Sequence, residues 1–213
     1  DTAALRGMYG NKTHLAPTQN GLSVNNAGQI AASAGDVAIT ADGLLINSGT
    51  ISSNGQANAT TVNTTAVQNS GTISAQGDNR IQTNQLTNSG TIAAGRELKA
   101  TATTIDNSNG VINGQRLDIT ANSLNNTNGK IQQTGATQSL ALNAGSISNI
   151  NNGVIGYEPV DTGSGTGGST GGTGSGGSSG TGSTGSIDVP TTAAGGGTAT
   201  VVQPAPLSNL ANG

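Results

Sequence analysis

The groups able to do acid, base or metal chemistry in this chain are few. His14 is its single histidine and it has no cysteine, which excludes thiol catalysis, cysteine-ligated metal sites and a disulfide framework. Charged residues make up 8% of the chain. Eight of the 17 gather at four places: Asp36; Asp78 and Arg80; Arg96, Glu97 and Lys99; Arg116 and Asp118. Carboxylates beside a Lys or Arg are what glycan cleavage requires, one group moving a proton while the cation holds developing charge. The same residues at even intervals also make an exposed ladder of opposite charges worth ~0–1 kcal/mol per pair. No two carboxylates from neighbouring intervals clearly converge in the sequence, and Asp36 and Asp78 fall two intervals apart. The ladder reading is therefore preferred, and no catalytic, cofactor-binding or metal-ligating residue is assigned. The chain is expected not to be an enzyme.

The weaker motifs point the same way. His14, in a turn-rich segment, reads as a solvated polar residue rather than one member of a Ser–His–Asp arrangement. Gly163, Gly165 and Gly168 spell G-x-G-x-x-G, but without a flanking strand or helix this is a product of composition. The Walker pattern and the Asp of the calcium-binding glycine nonapeptide are absent. Asn11, Asn58, Asn63 and Asn125 begin N-x-[ST] triplets, most of which arise by chance in a chain this rich in Asn and Thr. Tyr9 and Tyr157 fall near opposite ends of the expected stack of repeats and cannot form a stacking platform for sugars or bases.

What positions the charges is an internal repeat. The pentapeptide NSGTI occurs at 47–51, 69–73 and 88–92. A looser Asn-(1–3 residues)-Gly-x-Ile pattern ends at Ile30, Ile51, Ile73, Ile92, Ile112, Ile131 and Ile155, at spacings of 19–24 residues. Two residues before each pattern's Asn stands an aliphatic: Val24, Leu45, Val67, Leu86, Ile105, Leu124 and Ile147. Between these markers apolar and polar residues alternate, as in Leu117-Asp-Ile119-Thr-Ala121. A period of two means strands with one face inward. The corner asparagines are Asn26, Asn47, Asn69, Asn88, Asn107, Asn126 and Asn149, each near a Gly; both residue types accept left-handed backbone angles that bend a chain sharply.

Short strands, sharp corners and a period near twenty predict an all-β protein, a right-handed parallel β-helix of about seven to eight coils. Each coil stacks on the next at ~4.8 Å, so that seven rise roughly 35 Å. The aliphatic columns, Val24 to Ile147 and Ile30 to Ile155, become inward ladders, with an asparagine ladder at one corner. A leucine-rich repeat has a similar period and Leu columns with Asn, but no segment here offers its helical return. A sandwich of sequential hairpins would leave the fixed Asn-Gly-Ile column without a cause.

Composition agrees. With 31% hydrophobic and 1% aromatic residues, no Phe or Trp, and 35 glycines, the chain lacks the bulk for an ordinary compact core. Stacked small aliphatics are the remaining way to bury surface. A net charge of −3 gives no basic patch for phosphate backbones, so no nucleic-acid partner is expected. No stretch approaches the ~18 apolar residues of a membrane span. The chain begins at Asp1 rather than Met and reads as a piece of something longer.

The first repeat, ALRGMYGNKTHLAPTQNGLSVNNAGQI at 4–30, resembles the signature of filamentous haemagglutinin-like exoproteins, the adhesins and contact-dependent inhibition toxins of two-partner secretion. The matching residues are Ala4, Leu5, Gly7, Met8, Tyr9, Leu15, Thr18, Gly21, Val24, Asn26, Gly28 and Ile30. Thr13 stands where that family has an apolar residue. The Asn-x-Gly-x-Ile coils extend the resemblance to about residue 157. It implies a secreted protein of the bacterial cell surface, exported through an outer-membrane secretion partner, in which this chain is a structural shaft segment. Such a shaft supports adhesion, biofilm formation or toxin delivery. The alternatives are a module binding a cell-surface receptor or glycan through the β-helix face and, further off, a polysaccharide-cleaving β-helix.

Three regions are expected: a β-helix over 1–160, a Ser/Thr/Gly linker over 161–186, and an extended or weakly docked tail over 187–213. Residues 162–186 contain only Ser, Thr and Gly and have nothing to bury. Tyr157 is expected to cover the final coil. An open coil is an unpaired sheet edge, so end-to-end self-association is expected unless the tail caps one end.

Overall fold

The computed structural model describes residues 8–16, 21–135 and 140–157, together with the backbone of Thr200–Val201. Ala4, Leu5, Gly7 and Thr18 of the signature lie outside the described residues. So do the 161–186 segment with Gly163, Gly165 and Gly168, and 187–213 apart from Thr200–Val201.

The described residues form strands and turns, and every strand pairing within residues 8–157 is parallel. The expected parallel β-helix is what the chain forms. Three strand segments per coil give three faces around one core. On the first face the backbone register aligns Met8, Ile30, Ile51, Ile73, Ile92, Ile112, Ile131 and Ile155. On the second, Thr13, Val37, Thr60, Asn79, Leu98 and Leu117 stand in one column. The third aligns Val24, Leu45, Val67, Leu86, Ile105, Leu124 and Ile147. The seven isoleucines from Ile30 to Ile155 are at most 1% exposed, each burial worth about 2–3 kcal/mol. Ile147, near the end of the stack, is only partly buried against the same core. Thr13 is also inward and buried, and its hydroxyl donates to the Ala31 carbonyl at 3.2 Å. A hydroxyl with an acceptor within reach is what lets threonine replace an aliphatic there.

The strands are longer than the sequence pattern suggests. Val111–Asn125 runs through all three faces as one 15-residue strand. Two of the three corners are turned inside strands, with register shifts between Ala41 and Leu44 and between Ala94 and Glu97. An extra residue at such a bulge bends the strand without ending it. Only the Asn-Gly corner interrupts the chain throughout.

That corner is held by an internal ladder of side-chain amides. Asn26, Asn47, Asn69, Asn88, Asn107 and Asn126 are at most 2% exposed. Each donates from Nδ2 to Oδ1 of the asparagine one coil on, ending at Asn149, over 2.7–2.8 Å. The same nitrogen also reaches a backbone carbonyl of the next coil: Thr50, Thr72, Thr91, Val111, Lys130 or Val154, at 3.1–3.2 Å. These carbonyls fix which way every amide points, because a flipped amide would set oxygen against oxygen. The ladder therefore has a direction, with its donors facing the C-terminal end. Among the described residues, Nδ2 of Asn149 has no acceptor.

The glycines of this corner serve a different purpose from the one their sequence suggests. Gly49, Gly71 and Gly90 do not adopt positive φ. A Cβ at any of them would overlap the carbonyl oxygen of the glycine one coil earlier: Gly28, Gly49 and Gly71 respectively. Those carbonyls accept the amides of Thr50, Thr72 and Thr91 at 2.8–2.9 Å, so they cannot retreat. Left-handed angles appear instead at asparagines of the later, longer corners, Asn109 (φ 61°) and Asn128 (φ 53°).

Three substitutions test this account by thermal and denaturant unfolding. Ile92→Asp puts a carboxylate into the fully buried column, and a loss above ~4 kcal/mol is expected; unchanged stability would contradict the stack. Asn88→Ala leaves Asn69 without its acceptor and Asn107 without its donor, for an expected loss of about 2–4 kcal/mol. Gly71→Ala, which stabilises proteins at unstrained sites, is expected to destabilise this one through overlap with Gly49.

Candidate functional site

The charged groups meet along one corner, after the first face. Register places Asp36, Ala59, Asp78, Glu97 and Arg116 in one column, and Arg80, Lys99 and Asp118 in the next outward column. Residues at these positions alternate with buried Leu98 and Leu117, so the pleat that sends leucine inward sends the charges out. Asp36 stands apart, accepting the Ala59 amide one coil on at 2.8 Å.

The remaining seven groups, four cations and three carboxylates, pair with one another. Asp78 accepts from Arg80 at 3.1 Å and from Arg96 at 3.0 Å. Glu97 pairs with Arg116 at 3.2 Å and approaches Arg80 at 3.8 Å. Lys99 meets Asp118 at 2.7 Å. Arg80 thus stands between Asp78 and Glu97, so two carboxylates from neighbouring coils do come together, contrary to the sequence expectation. The reason is their spacing: Asp78 and Glu97 each stand five residues after their column isoleucine, and the two coils pair with no register shift. They gather around a shared guanidinium, which engages both carboxylates. Among the described residues no three His, Cys, Asp or Glu side chains are placed to hold a metal ion.

Asp78 is the most enclosed acid of this edge. Partial burial pushes its pKa up, but the Glu97 amide, then Arg96 and Arg80, outweigh that and hold it below the ordinary carboxylate value. Its bonds thus contribute stability that is whole above the unfolded pKa of about 4 and is lost as pH falls through the folded value.

The other motif residues are scattered. His14 is exposed on the second face of the first coil. Tyr9 is 68% exposed and donates to Gln29 Oε1 at 2.6 Å, while Tyr157 stands in register with Gln133 on the last coil. Of the N-x-[ST] asparagines, Asn11 and Asn63 are exposed, whereas Asn58 donates to the Asn54 carbonyl and Asn125 to Asp106 and Ser108.

One polar cluster escaped the sequence reading. Asp106 Oδ1 accepts the Ser108 amide at 3.1 Å and its hydroxyl at 2.5 Å, and Asn125 Nδ2 reaches it from the next coil at 3.2 Å. Thr127 in turn donates to Asn125 Oδ1 at 2.7 Å. The signal was there as Asp-Asn-Ser followed one coil later by Asn-Asn-Thr, two turns of the kind in which a side chain caps the backbone two residues on. Its members bond chiefly to one another, which makes it a corner staple.

Asp78→Asn is expected to lower the neutral plateau of the stability–pH curve and to flatten its acid limb below about pH 4, so that variant and parent converge as pH falls. Chemical denaturation at a series of pH values reads this directly, and an unaltered acid limb would show that Asp78 is not the group responsible.

No family model matches the chain, and no solved structure matches it. Two curated proteins are similar to it. Toxin CdiA of Yersinia pestis is 49% identical over 79 residues, which are 37% of this chain and 2% of that protein. The tRNA nuclease CdiA-2 of Burkholderia pseudomallei (strain 1026b) is 49% identical over 49 residues, 23% of this chain and 2% of that protein. The chain thus spans a very small part of the length of the curated relatives it matches. Coil geometry and sequence identity agree: the β-helical coils are consistent with filamentous haemagglutinin-like repeats, and the homologues are CdiA contact-dependent inhibition toxins of the two-partner-secretion family, 49% identical over part of the chain.

Proposed function

We propose that this chain is a shaft segment of a large secreted exoprotein displayed on the bacterial cell surface and exported through an outer-membrane partner. The observation that carries the reading is the unbroken inner architecture. Isoleucine and asparagine ladders run from Ile30 to Ile155 and from Asn26 to Asn149, while the charged groups of the one corner pair with one another. Such a stack resists extension because peeling a coil breaks a row of parallel hydrogen bonds and exposes three aliphatic side chains together. In a contact-dependent inhibition protein this rod would hold distal parts away from the cell. The nuclease named in the Burkholderia relative is an activity of that protein.

A second reading has one observation in its favour. Exposed polar residues such as Asn63, Gln82 and Thr87 lie on the outer faces of successive coils, the flat, repetitive kind of surface on which a glycan or a receptor can lie. Labelled full-length chain, checked for folding, separates the two when added to bacterial and host cells beside the Ile92→Asp variant. The shaft reading expects no saturable binding by the folded chain. Saturable binding lost in the variant would instead make the segment a recognition surface.

A further inference from the structure

The solenoid ends in an edge, and a distant piece of the same chain lies on it. In the last coil, Leu140–Ser148 and Val154–Tyr157 have no later coil above them among the described residues. Thr200–Val201 pairs with the first of these strands, Val201 opposite Leu140 and Thr200 opposite Ala141. This pairing is antiparallel, whereas every pairing inside the stack is parallel. From it we infer that the segment around Thr200–Val201 is a terminator of the stack: a cap that closes the C-terminal edge against end-to-end addition of a second copy of this chain.

Three features carry this. The first is position. A second copy stacked in register would bring its Thr13–Leu15 strand onto Leu140–Leu142, extending the column that runs Thr13, Val37, Thr60, Asn79, Leu98 and Leu117. Thr200–Val201 occupies that place, so cap and copy exclude each other. A coil must pair on all three faces at once to sit flush, and obstruction of one is enough. The second is direction. The antiparallel strand breaks the run of parallel pairings, so the edge it presents is not that of a further coil and does not continue the columns in register. The third is local sequence. The stretch Thr198-Ala-Thr-Val-Val202 favours a strand, with Gly195, Gly196 and Gly197 before it and Pro204 and Pro206 after it. Proline has no N–H to give a sheet, and proteins place it where an edge must go no further.

The chain has no cysteine, which makes cross-linking a clean test in the full-length protein. Residues directly opposite in an antiparallel pair have Cβ atoms about 4.5–5.5 Å apart, within reach of a disulfide. The variant Ala141→Cys/Thr200→Cys is compared with Ser146→Cys/Thr200→Cys, in which the edge cysteine lies roughly 17 Å further along the same strand. Under mild oxidant the first pair is expected to close within one chain about tenfold or more faster than the second. Equal rates would overturn the proposal, because a segment that wanders over the edge samples both. Capping itself is read by sedimentation velocity of the Thr200→Pro/Val201→Pro variant, which alters no residue of the coils. Concentration-dependent multimers of that variant beside a monomeric parent are the expected result. If both remain monomeric, or both associate alike, the segment does not govern the edge and the proposal fails.

Discussion

A coil of this protein cannot exist alone. One turn of about twenty residues presents three short apolar rows and has nothing to bury them against except an identical turn above and below. Other features of the molecule follow from that dependence. Side chains must repeat in register, so the same residue types recur in columns. Backbone must approach backbone at sheet spacing even where it bends, so corners are built from residues that tolerate stacking. The asparagine ladder is the polar half of this constraint. It supplies buried amides with partners at the corner where the sheet hydrogen bonds are interrupted, and does so only because the next coil repeats it.

The sequence carried this architecture unusually openly because a solenoid writes its contacts as periodicity. Ile30 to Ile155 and Val24 to Ile147 could be aligned by eye, and register places them as drawn. What stayed hidden were features without a period. Met8 heads the isoleucine column, but no Asn-Gly corner precedes it. The second-face column begins with Thr13, Val37, Thr60 and Asn79 before settling to leucine at Leu98, and that mixture hides the column from a search for aliphatics. Asn79, fully buried, gives both Nδ2 hydrogens to the Ile73 and Ala93 carbonyls and leaves Oδ1 without a partner. The bulges are equally silent, since one extra residue in a strand looks like ordinary variation in repeat length.

The charged edge shows where periodicity misleads. Position four to seven after each isoleucine was enough to bring Asp78, Arg80, Arg96, Glu97, Lys99, Arg116 and Asp118 together. Read at that width it did not say which groups share a column: Asp78 and Glu97 each stand five residues after their isoleucine, but Arg116 stands four after Ile112 and joins them only through the bulge between Ala94 and Glu97. Glycine misled in the other direction. Its usual association with left-handed backbone suggested a conformational reason at Gly49, Gly71 and Gly90, whereas the stacked carbonyls impose a steric one. A property of one residue was expected, and a property of the assembly was found.

The direction of the amide ladder makes the two ends of the rod unlike. The ladder asparagines turn Nδ2 toward the C-terminal end and Oδ1 toward the N-terminal end. A coil added at either end completes one amide–amide bond, but only if it runs in the same direction as the coils already stacked. An inverted coil would set donor against donor or oxygen against oxygen. The ladder works like a keyed connector: it joins coils head to tail and disfavours the reverse.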